Sequence, residues 1–308
     1  MSTHIPQELV DIIMDNLDDD IPSLKSCSLA ARTFVSSAQI QIFRKIEITP
    51  PTHPLSLSSS CQKLYKLLTS SPHLAPLVDE LCIVLVGSET SFEYDADGQY
   101  LEDRHVTWIM SGRKTLALIL ALLDLKRISL VENAPVDWNS YGQFSMKWNE
   151  LGGHLKSELS RIFSSPGLES VHLRGIVVES PYQLLSLFSE ATSLKEMSLS
   201  RVYFTKRWDQ RDPWPESQTW QPQLRSLLLS DIASDTFCRH LVNPRINLTR
   251  VNSLTIVTEG SDWREKIIQA THGSVVDLRI RYLQEPGTGV FKSIIGPNLR
   301  SLPSPLFG

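Results

Sequence analysis

The feature that most constrains the fold of this chain is an apolar pattern, L-x-x-L-x-L, in which any aliphatic residue or phenylalanine can stand at L. The pattern occurs eight times, starting at residues 43, 78, 125, 168, 194, 224, 251 and 275. Successive starts are 24 to 30 residues apart in the later part of the chain and 35 to 47 residues apart in the earlier part. Self-similarity of this kind indicates a repeat architecture in which each unit buries its apolar side against its neighbours. We expect the early units to carry insertions.

Each occurrence of the pattern predicts a strand, and helical stretches lie between the strands. The helical stretches are residues 64–68, 116–123, 155–163, 182–188, 235–241 and 262–270. Strands that alternate with helices predict an α/β fold, with a parallel sheet along one side of a curved solenoid. The first, fourth and sixth positions of the pattern then face the helices, and the fifth position faces the open side of the sheet.

The spacing and the strand signature resemble those of leucine-rich repeats, which run about 20 to 29 residues. The commonest form of that repeat carries asparagine three residues after the last L, and here only Asn133 fits. Without a ladder of asparagine side chains, the turns need other hydrogen-bond partners. We therefore expect an irregular solenoid over residues 49–308.

The first 48 residues show a different pattern, that of three short helices. The first helix begins near Pro6, where a helix tolerates proline. Its apolar residues are a stripe of Leu9, Ile12, Ile13 and Leu17, widened sideways by Val10 and Met14. Two further helices follow, one from Pro22 and one through Phe34 to Phe43. So short a unit buries only a small core and needs neighbours. The apolar surface of the first helix exceeds what that core needs.

Composition excludes several classes of partner. The chain has 308 residues and a formal net charge of -4, which argues against a nucleic-acid surface or an anionic membrane as its main partner. Its longest apolar run, residues 116–123, is far shorter than the roughly 20 residues that span a bilayer. The N-terminus lacks the features of a signal peptide, and the four cysteines form no C-x-x-C pair. We expect a reduced protein of the cytoplasm, the nucleus or both.

No catalytic pattern stands out in the sequence. There is no H-E-x-x-H, G-x-G-x-x-G, G-x-x-x-x-G-K-[ST] or G-x-S-x-G motif, and the histidines are isolated from one another. Asp18, Asp19 and Asp20 are adjacent and lack the alternating ligand spacing of a calcium loop. We therefore expect no enzyme activity, no metal site and no cofactor.

Residues 206–220, KRWDQRDPWPESQTW, interrupt a repeat and predict a loop insertion near 205–221. Its three tryptophans, Trp208, Trp214 and Trp220, fit two interpretations. A proline-rich connector would fold them back on the repeats. A recognition loop would expose them, because tryptophan is a favoured interface anchor.

Residues 4–48 carry an ordered set of positions. They are Ile5-Pro6-x-Glu8-Leu9, Ile12-Ile13, Leu17, Ser23-Leu24-x-x-Cys27-Ser28-Leu29, Arg32-x-Phe34 and Ile42-Phe43-Arg44-x-Ile46. In order, spacing and residue type, this set resembles an F-box. It is most similar to the version common in mushroom-forming fungi, in which the box precedes degenerate leucine-rich repeats.

The resemblance implies a function in protein ubiquitination. An F-box binds the adaptor Skp1 of a cullin-based ubiquitin ligase, and the repeats that follow hold a protein substrate whose lysine is brought near a charged ubiquitin-conjugating enzyme. By position in the motif, the contacts with Skp1 would be Ile5, Pro6, Leu9, Ile13, Leu24 and Cys27. The other interpretation of each of these residues is that it packs the core of the three helices or docks on the first repeat.

Substrate contacts would come from the open face of the strands and from the loops. The candidates are His172, Arg174, Ser198, Arg279 and Arg281, together with Trp208, Trp214 and Trp220. A rival interpretation is a repeat scaffold that binds proteins without any ligase, with the N-terminal helices as a cap. The apolar face of the first helix would then be buried within the chain. Exposure of Leu9 and Ile13 distinguishes the two interpretations.

Overall fold

The structure is a computed structural model. It describes residues 5–17, 20–50, 60–86, 108–109, 113–132, 146–206, 220–230, 237, 241–242, 246–258, 263–271 and 273–282, without the side chains of residues 86, 113, 258, 263–265, 281 and 282. The predicted loop insertion near 205–221 therefore lies outside the described residues, except at its two ends.

The central element is a sheet of nine strands. The strands are β1 (Lys45–Ile48), β2 (Glu80–Val86), β3 (Arg127–Glu132), β4 (Met146–Lys147), β5 (Ser170–Val178), β6 (Glu196–Phe204), β7 (Ser226–Ser230), β8 (Ser253–Thr258) and β9 (Asp277–Tyr282). Their order in the sheet follows the chain, except that the short β4 lies off the path and pairs with the end of β5. All of these strand pairings are parallel. The predicted α/β class with a parallel sheet is confirmed.

The eight occurrences of the apolar pattern lie at the same level of the sheet. The fourth positions pair from Ile46 in β1 to Leu278 in β9, and the sixth positions pair from Ile48 to Ile280. From β2 onwards these two positions are at most 8% exposed, whereas the fifth positions are half-buried or exposed. The predicted inward and outward faces of the strands are therefore confirmed, and β4 is the strand that the pattern did not predict.

Helices between the strands bury one side in the same core as the strands. They are α4 (Ser60–Ser70), α5 (Arg113–Leu122), α6 (Gly153–Phe163), α7 (Pro181–Ser186) and α8 (Trp263–Ala270), with short 3-10 helices at Pro72–Leu77 and Trp148–Glu150.

The start of α7 is fixed by side-chain hydrogen bonds. The Ser180 hydroxyl accepts a hydrogen bond from the Gln183 backbone N–H, and the Gln183 side chain accepts one from the Glu179 N–H. This reciprocal cap satisfies two backbone donors at the helix start.

A row of aromatic side chains runs through this core from one unit to the next. Ring centroids are 5.9 Å apart for Trp148 and Phe163, 5.3 Å for Phe163 and Phe188, and 6.5 Å for Phe188 and Trp220. Trp220 is 1% exposed. Of the two interpretations of the tryptophans, Trp220 follows the first: its indole folds back into the repeats, because burial of so large an apolar surface is favourable.

The helices α1 (Gln7–Asp15), α2 (Ile21–Ala30) and α3 (Arg32–Arg44) precede the sheet, and α3 leads into β1 without a connecting loop. α2 begins one residue earlier than proline placement predicts. The Asp20 carboxylate accepts hydrogen bonds from the backbone N–H of Ser23 at 3.1 Å and from its hydroxyl at 2.6 Å. Asp20 is therefore the N-cap of α2, a role that sequence analysis did not assign to it.

Candidate functional site

The outward face of α1 is the most unusual surface of the N-terminal helices. Leu9, Ile12 and Ile13 are 52%, 56% and 45% exposed, and Ile5 just before the helix is 45% exposed. Val10 and Met14, at 0% and 1%, are the residues of α1 that enter the core of the three helices. We call the exposed set Ile5, Leu9, Ile12 and Ile13 the outer face of α1.

The position of this face follows from helix geometry. Successive residues of a helix are turned by about 100°. Leu9, Ile13 and Ile12 therefore cover an arc of roughly 100° on one side of the buried residues Val10 and Met14. Sequence analysis placed Leu9, Ile12 and Ile13 in the main stripe and Val10 and Met14 at its side. The structure reverses these roles, since the side residues make the core and the stripe faces outward.

The polar side of α1 faces its own chain. The Gln7 amide donates to the Ser37 hydroxyl at 2.9 Å, and this hydroxyl donates to Asp11 at 2.6 Å. Gln41 of α3 donates to Asp15 in the same way. The Ser37 hydroxyl and the Gln7 amide lower the pKa of Asp11. α1 is therefore fixed on α3 by its polar flank and by the buried Val10 and Met14, while Leu9, Ile12 and Ile13 remain about half exposed.

The structure separates the predicted partner contacts into two groups. Ile5, Pro6, Leu9 and Ile13 are exposed. Leu24 is fully buried, and Cys27 is half-buried against the same core. For Leu24 the prediction of a partner contact is corrected: this side chain packs the core of the three helices. Ile12 was missing from the predicted contacts, although its angular position places it on the outer face of α1.

The two sides of α1 predict opposite responses to truncation. Met14→Ala should lower the free energy of unfolding of the three helices by about 2 to 4 kcal/mol, because it leaves a cavity in their core. Leu9→Ala should change it by less than about 0.5 kcal/mol, as expected for an exposed side chain. Chemical denaturation followed by circular dichroism measures both. Equal losses would mean that Leu9 is buried in solution.

The open face of the sheet carries some of the predicted substrate contacts. His172 and Arg174 of β5 and Ser198 of β6 lie on it and are half-buried. Arg279 is exposed, but its guanidinium is paired with Asp277 of the same strand at 3.0 Å. The Arg281 side chain, Trp208 and Trp214 lie outside the described residues. Trp220 belongs to the core, so it is removed from the set of exposed loop residues.

A buried charged pair crosses the middle of the sheet. Glu132, at the end of β3, is 0% exposed, and its carboxylate lies 3.4 Å from the guanidinium of Arg201 in β6, which is 6% exposed. β5 runs between them, and a Cβ on its Gly175 would lie 2.1 Å from the Glu132 carboxylate. Gly175 therefore leaves the space that the pair occupies. We call Glu132, Gly175 and Arg201 the buried crossing.

The environment of the buried crossing shifts the pKa of Glu132. Burial raises the pKa of Glu132, and the positive charges of Arg201 and Arg174 act in the opposite direction. Sequence analysis missed this cluster. A signal was present, because all three residues stand two positions after the last L of their pattern: 132 after 130, 175 after 173 and 201 after 199.

The described residues contain no group of three or more His, Cys, Asp or Glu side chains that could hold a metal ion. Among these residues, no helix has both the length and the apolar character needed to cross a membrane. No protein-family model matches the chain, and no similar curated protein sequence is found.

Proposed function

We propose that the chain is a substrate-recognition adaptor of a Skp1–cullin–F-box ubiquitin ligase. Residues 4–48 would be the F-box that binds a Skp1-like adaptor, and through it a cullin complex. Residues 49–308 would be an irregular leucine-rich repeat solenoid that binds a protein substrate. The observation that carries the proposal is the outer face of α1, where four large apolar side chains close together are 45 to 56% exposed.

The energetics of such a face support a partner. Burying an exposed leucine or isoleucine completely is worth about 1.5 to 3 kcal/mol. The four side chains of the outer face are only about half exposed, so each offers roughly half of that value. Together they can offset part of the cost of association. Large apolar residues that are adjacent and exposed on a soluble protein mark an interaction site more often than scattered single ones do.

The alternative, a repeat scaffold without a ligase, predicts a different α1. A helical cap would bury the apolar residues of α1 against the first repeat. Instead, Leu9 and Ile13 are about half exposed, and the residues of α1 that contact α3 through hydrogen bonds are polar. This arrangement favours the adaptor over the cap. The repeats would bind their protein target in either case.

Co-purification with Skp1 tests the proposal. The intact chain is expected to capture Skp1, and Leu9→Asp is expected to weaken capture by about a hundredfold or more, because complex formation would bury an unpaired carboxylate. Leu118→Asp in α5 is the matched control: Leu118 is 46% exposed and lies outside the N-terminal helices. The control should capture Skp1 as the intact chain does.

Circular dichroism and thermal unfolding establish that both variants remain folded. Loss of capture in a folded Leu9→Asp variant supports the adaptor. If the intact, folded chain captures no Skp1, or if the two aspartate variants lose capture equally, the proposal is wrong and the scaffold interpretation takes its place.

A further inference from the structure

The helix α5 carries leucines on its outward side as well as on its buried side. Leu116, Ile119 and Leu120 pack the core and are at most 1% exposed. On the opposite side, Leu118 and Leu122 are 46% and 42% exposed. They are four residues apart, so they lie on the same face of the helix. Burial within the chain therefore does not account for leucine at these two positions.

The neighbouring helix α4 continues this surface. α5 packs against α4, and the two helices run in the same direction because each leads from one parallel strand to the next. Leu67 of α4 is 38% exposed. In each helix an exposed lysine stands one turn before the exposed leucine, Lys63 before Leu67 and Lys114 before Leu118. Both helices therefore present a cation followed by an apolar side chain.

The positive charge of this surface is not balanced by carboxylates. α4 and α5 contain no aspartate or glutamate, and their exposed lysines make no ion pair in the part of the chain that the structure describes. On the adjacent α6, the Glu158 carboxylate is paired with Arg161 at 2.8 Å. Asp124 lies beyond the C-terminal end of α5, where its charge acts on Lys126. We define the α4–α5 face as the following residues: Lys63, Lys66, Leu67, Lys114, Leu118 and Leu122.

The α4–α5 face and the outer face of α1 differ in charge. α1 carries the carboxylates Glu8, Asp11 and Asp15 and has no lysine or arginine. Its apolar surface therefore repels an acidic partner, whereas the lysines of the α4–α5 face attract one. Complementary charges select partners in this way, so the two apolar surfaces are suited to different partners.

From this arrangement we propose that the α4–α5 face binds an amphipathic helix of a partner protein, one that carries carboxylates beside a row of large apolar side chains. The apolar side chains of that helix cover Leu67, Leu118 and Leu122, and its carboxylates pair with the lysines. Two packed helices have their axes about 8 to 10 Å apart and leave a groove between them. An amphipathic helix lays its apolar side into such a groove.

Two other occupants fit the α4–α5 face less well. In a dimer, two copies of the face would bring lysines together without a carboxylate to pair with. An anionic membrane extends over a whole side of the protein, and the chain has a net charge of -4, which opposes its approach. A single helix responds mainly to charges within about 10 Å. The local lysines therefore favour an acidic helix.

The first measurement is a titration of the intact chain with a fluorescein-labelled peptide, acetyl-Glu-Glu-Glu-Ala-Leu-Ala-Ala-Leu-Leu-Ala-Gln-Leu-Ala-Gln-amide, followed by fluorescence anisotropy. We expect saturable binding at low ionic strength. The same peptide with glutamine in place of glutamate should bind about tenfold more weakly, because it loses the ion pairs with the lysines. The peptide with serine in place of leucine should not bind, because it offers no apolar surface.

Variants of the chain locate the contact. Leu118→Asp should weaken binding of the glutamate peptide by about tenfold or more, because it places a carboxylate against the apolar side of an acidic helix. Lys114→Glu should weaken it by about fivefold. Lys25→Glu makes the same charge change at an exposed lysine of α2, and it should leave binding unchanged. Leu9→Asp should also leave it unchanged. Circular dichroism checks folding, and Lys114→Glu decides the matter if Leu118→Asp is unfolded.

Several results would overturn the inference: equal binding of the three peptides, unchanged binding in Leu118→Asp or Lys114→Glu, or equal weakening in Lys25→Glu. Two further results would do so by showing another occupant. One is sedimentation with vesicles of phosphatidylserine and phosphatidylcholine in the absence of peptide binding. The other is a dimer in analytical ultracentrifugation that Leu118→Asp abolishes.

The inference does not rest on the proposed adaptor function, and Skp1 capture by the same variants keeps the two apart. We expect Leu118→Asp to capture Skp1 and lose the peptide, and Leu9→Asp to bind the peptide and lose Skp1. Peptide binding by an intact chain that captures no Skp1 contradicts the adaptor alone. Skp1 capture by an intact chain that binds no peptide contradicts the acidic helix alone.

Discussion

Replacing Gly175 by alanine is expected to lower the free energy of unfolding by roughly 4 kcal/mol or more. Two costs combine. Gly175 has a φ of 73°, a left-handed conformation that costs an L-residue about 1 to 2 kcal/mol. The new Cβ would also lie 2.1 Å from the Glu132 carboxylate and 2.5 Å from its Cβ. Because Glu132 is fully buried, it can yield to the new Cβ only by shifting within the core, which disturbs its charged pair with Arg201.

Gly273→Ala is the matched control for this prediction. Gly273 has a φ of 95°, and a Cβ on it would meet nothing within 4 Å. Gly273→Ala should therefore lower the free energy of unfolding only by the conformational cost, about 1 to 2 kcal/mol. Urea unfolding of both variants measures the difference. If the two alanines cost the same, the close approach of Gly175 to Glu132 contributes nothing to stability.

Replacing Arg201, the positive partner of Glu132, is expected to lower the free energy of unfolding by a similarly large amount. This loss should depend on pH. Arg201→Met keeps a long apolar side chain and leaves the buried Glu132 without its partner. Breaking a buried pair in this way typically costs about 3 to 5 kcal/mol at neutral pH. Burial raises the pKa of Glu132, and the charge of Arg201 limits this rise. Without Arg201, the pKa of Glu132 should rise further.

The sign of the pH dependence follows from this shift. Unfolded glutamate has a pKa of about 4.3. Between that value and the raised pKa of the folded variant, the folded chain holds a proton that the unfolded chain has lost. The variant should therefore lose stability as pH rises through this interval, and regain it on acidification. The intact protein should show a smaller dependence, because Arg201 favours the ionised form of Glu132.

A double variant tests the assignment to Glu132. Glu132→Gln combined with Arg201→Met removes both charges, so its stability should lie above that of Arg201→Met at pH 7, with the pH dependence reduced. Unfolding curves at several pH values between 4.5 and 8 provide the measurement. An equally pH-dependent double variant would show that another group titrates.

The strands could be predicted from the sequence because each of them repeats the same short pattern. An inward side chain at every second residue is a local feature, so the fourth and sixth positions of the eight strands that carry the pattern could be placed from sequence despite the uneven spacing of the repeats. β4 has only two residues and lacks the pattern. It pairs with Ile176 and Val177, where β5 extends beyond its pairing with β3, which ends at Arg174. Sequence alone does not show this free part of the strand.

The face of α1 that meets the core could not be predicted from α1 alone. Apolar residues cover more than half of its circumference, so periodicity does not distinguish the buried part from the exposed part. The decision lies in α3, where Ser37 and Gln41 provide hydrogen-bond partners for Asp11 and Asp15. These partners are 26 residues away in sequence. Their contacts turn the polar flank of α1 inward and leave Leu9, Ile12 and Ile13 outside.

The buried crossing required knowledge of the register. Glu132, Gly175 and Arg201 are a charged residue, a glycine and another charged residue at equivalent positions of three neighbouring strands. Each of them alone would be read as part of a surface turn. Only the alignment of β3, β5 and β6 shows that the glycine lies between opposite charges.

Charged side chains at the edge of the sheet where the strands begin affect which units can stand next to each other. The residue at the second position of each pattern lies just before its strand. Its backbone carbonyl accepts hydrogen bonds from the N–H groups of the next unit, as the carbonyl of Asp79 does from Lys126 and Arg127. The side chains at this position alternate in sign along Asp79, Lys126, Glu169 and Lys195, with ion pairs of 2.8 Å and 2.9 Å. Such exposed pairs add little stability.

These ion pairs act instead on which unit can pack beside which. Excision of the unit that carries Lys126 would set Asp79 beside Glu169, and excision of the unit that carries Glu169 would set Lys126 beside Lys195. Like charges directly opposite on neighbouring strands are destabilising. The units of this chain are therefore not interchangeable building blocks. From Asp79 to Lys195, the alternating charges disfavour skipping the unit that carries Lys126 or the unit that carries Glu169, whether by deletion or by mispairing of strands between two molecules during folding.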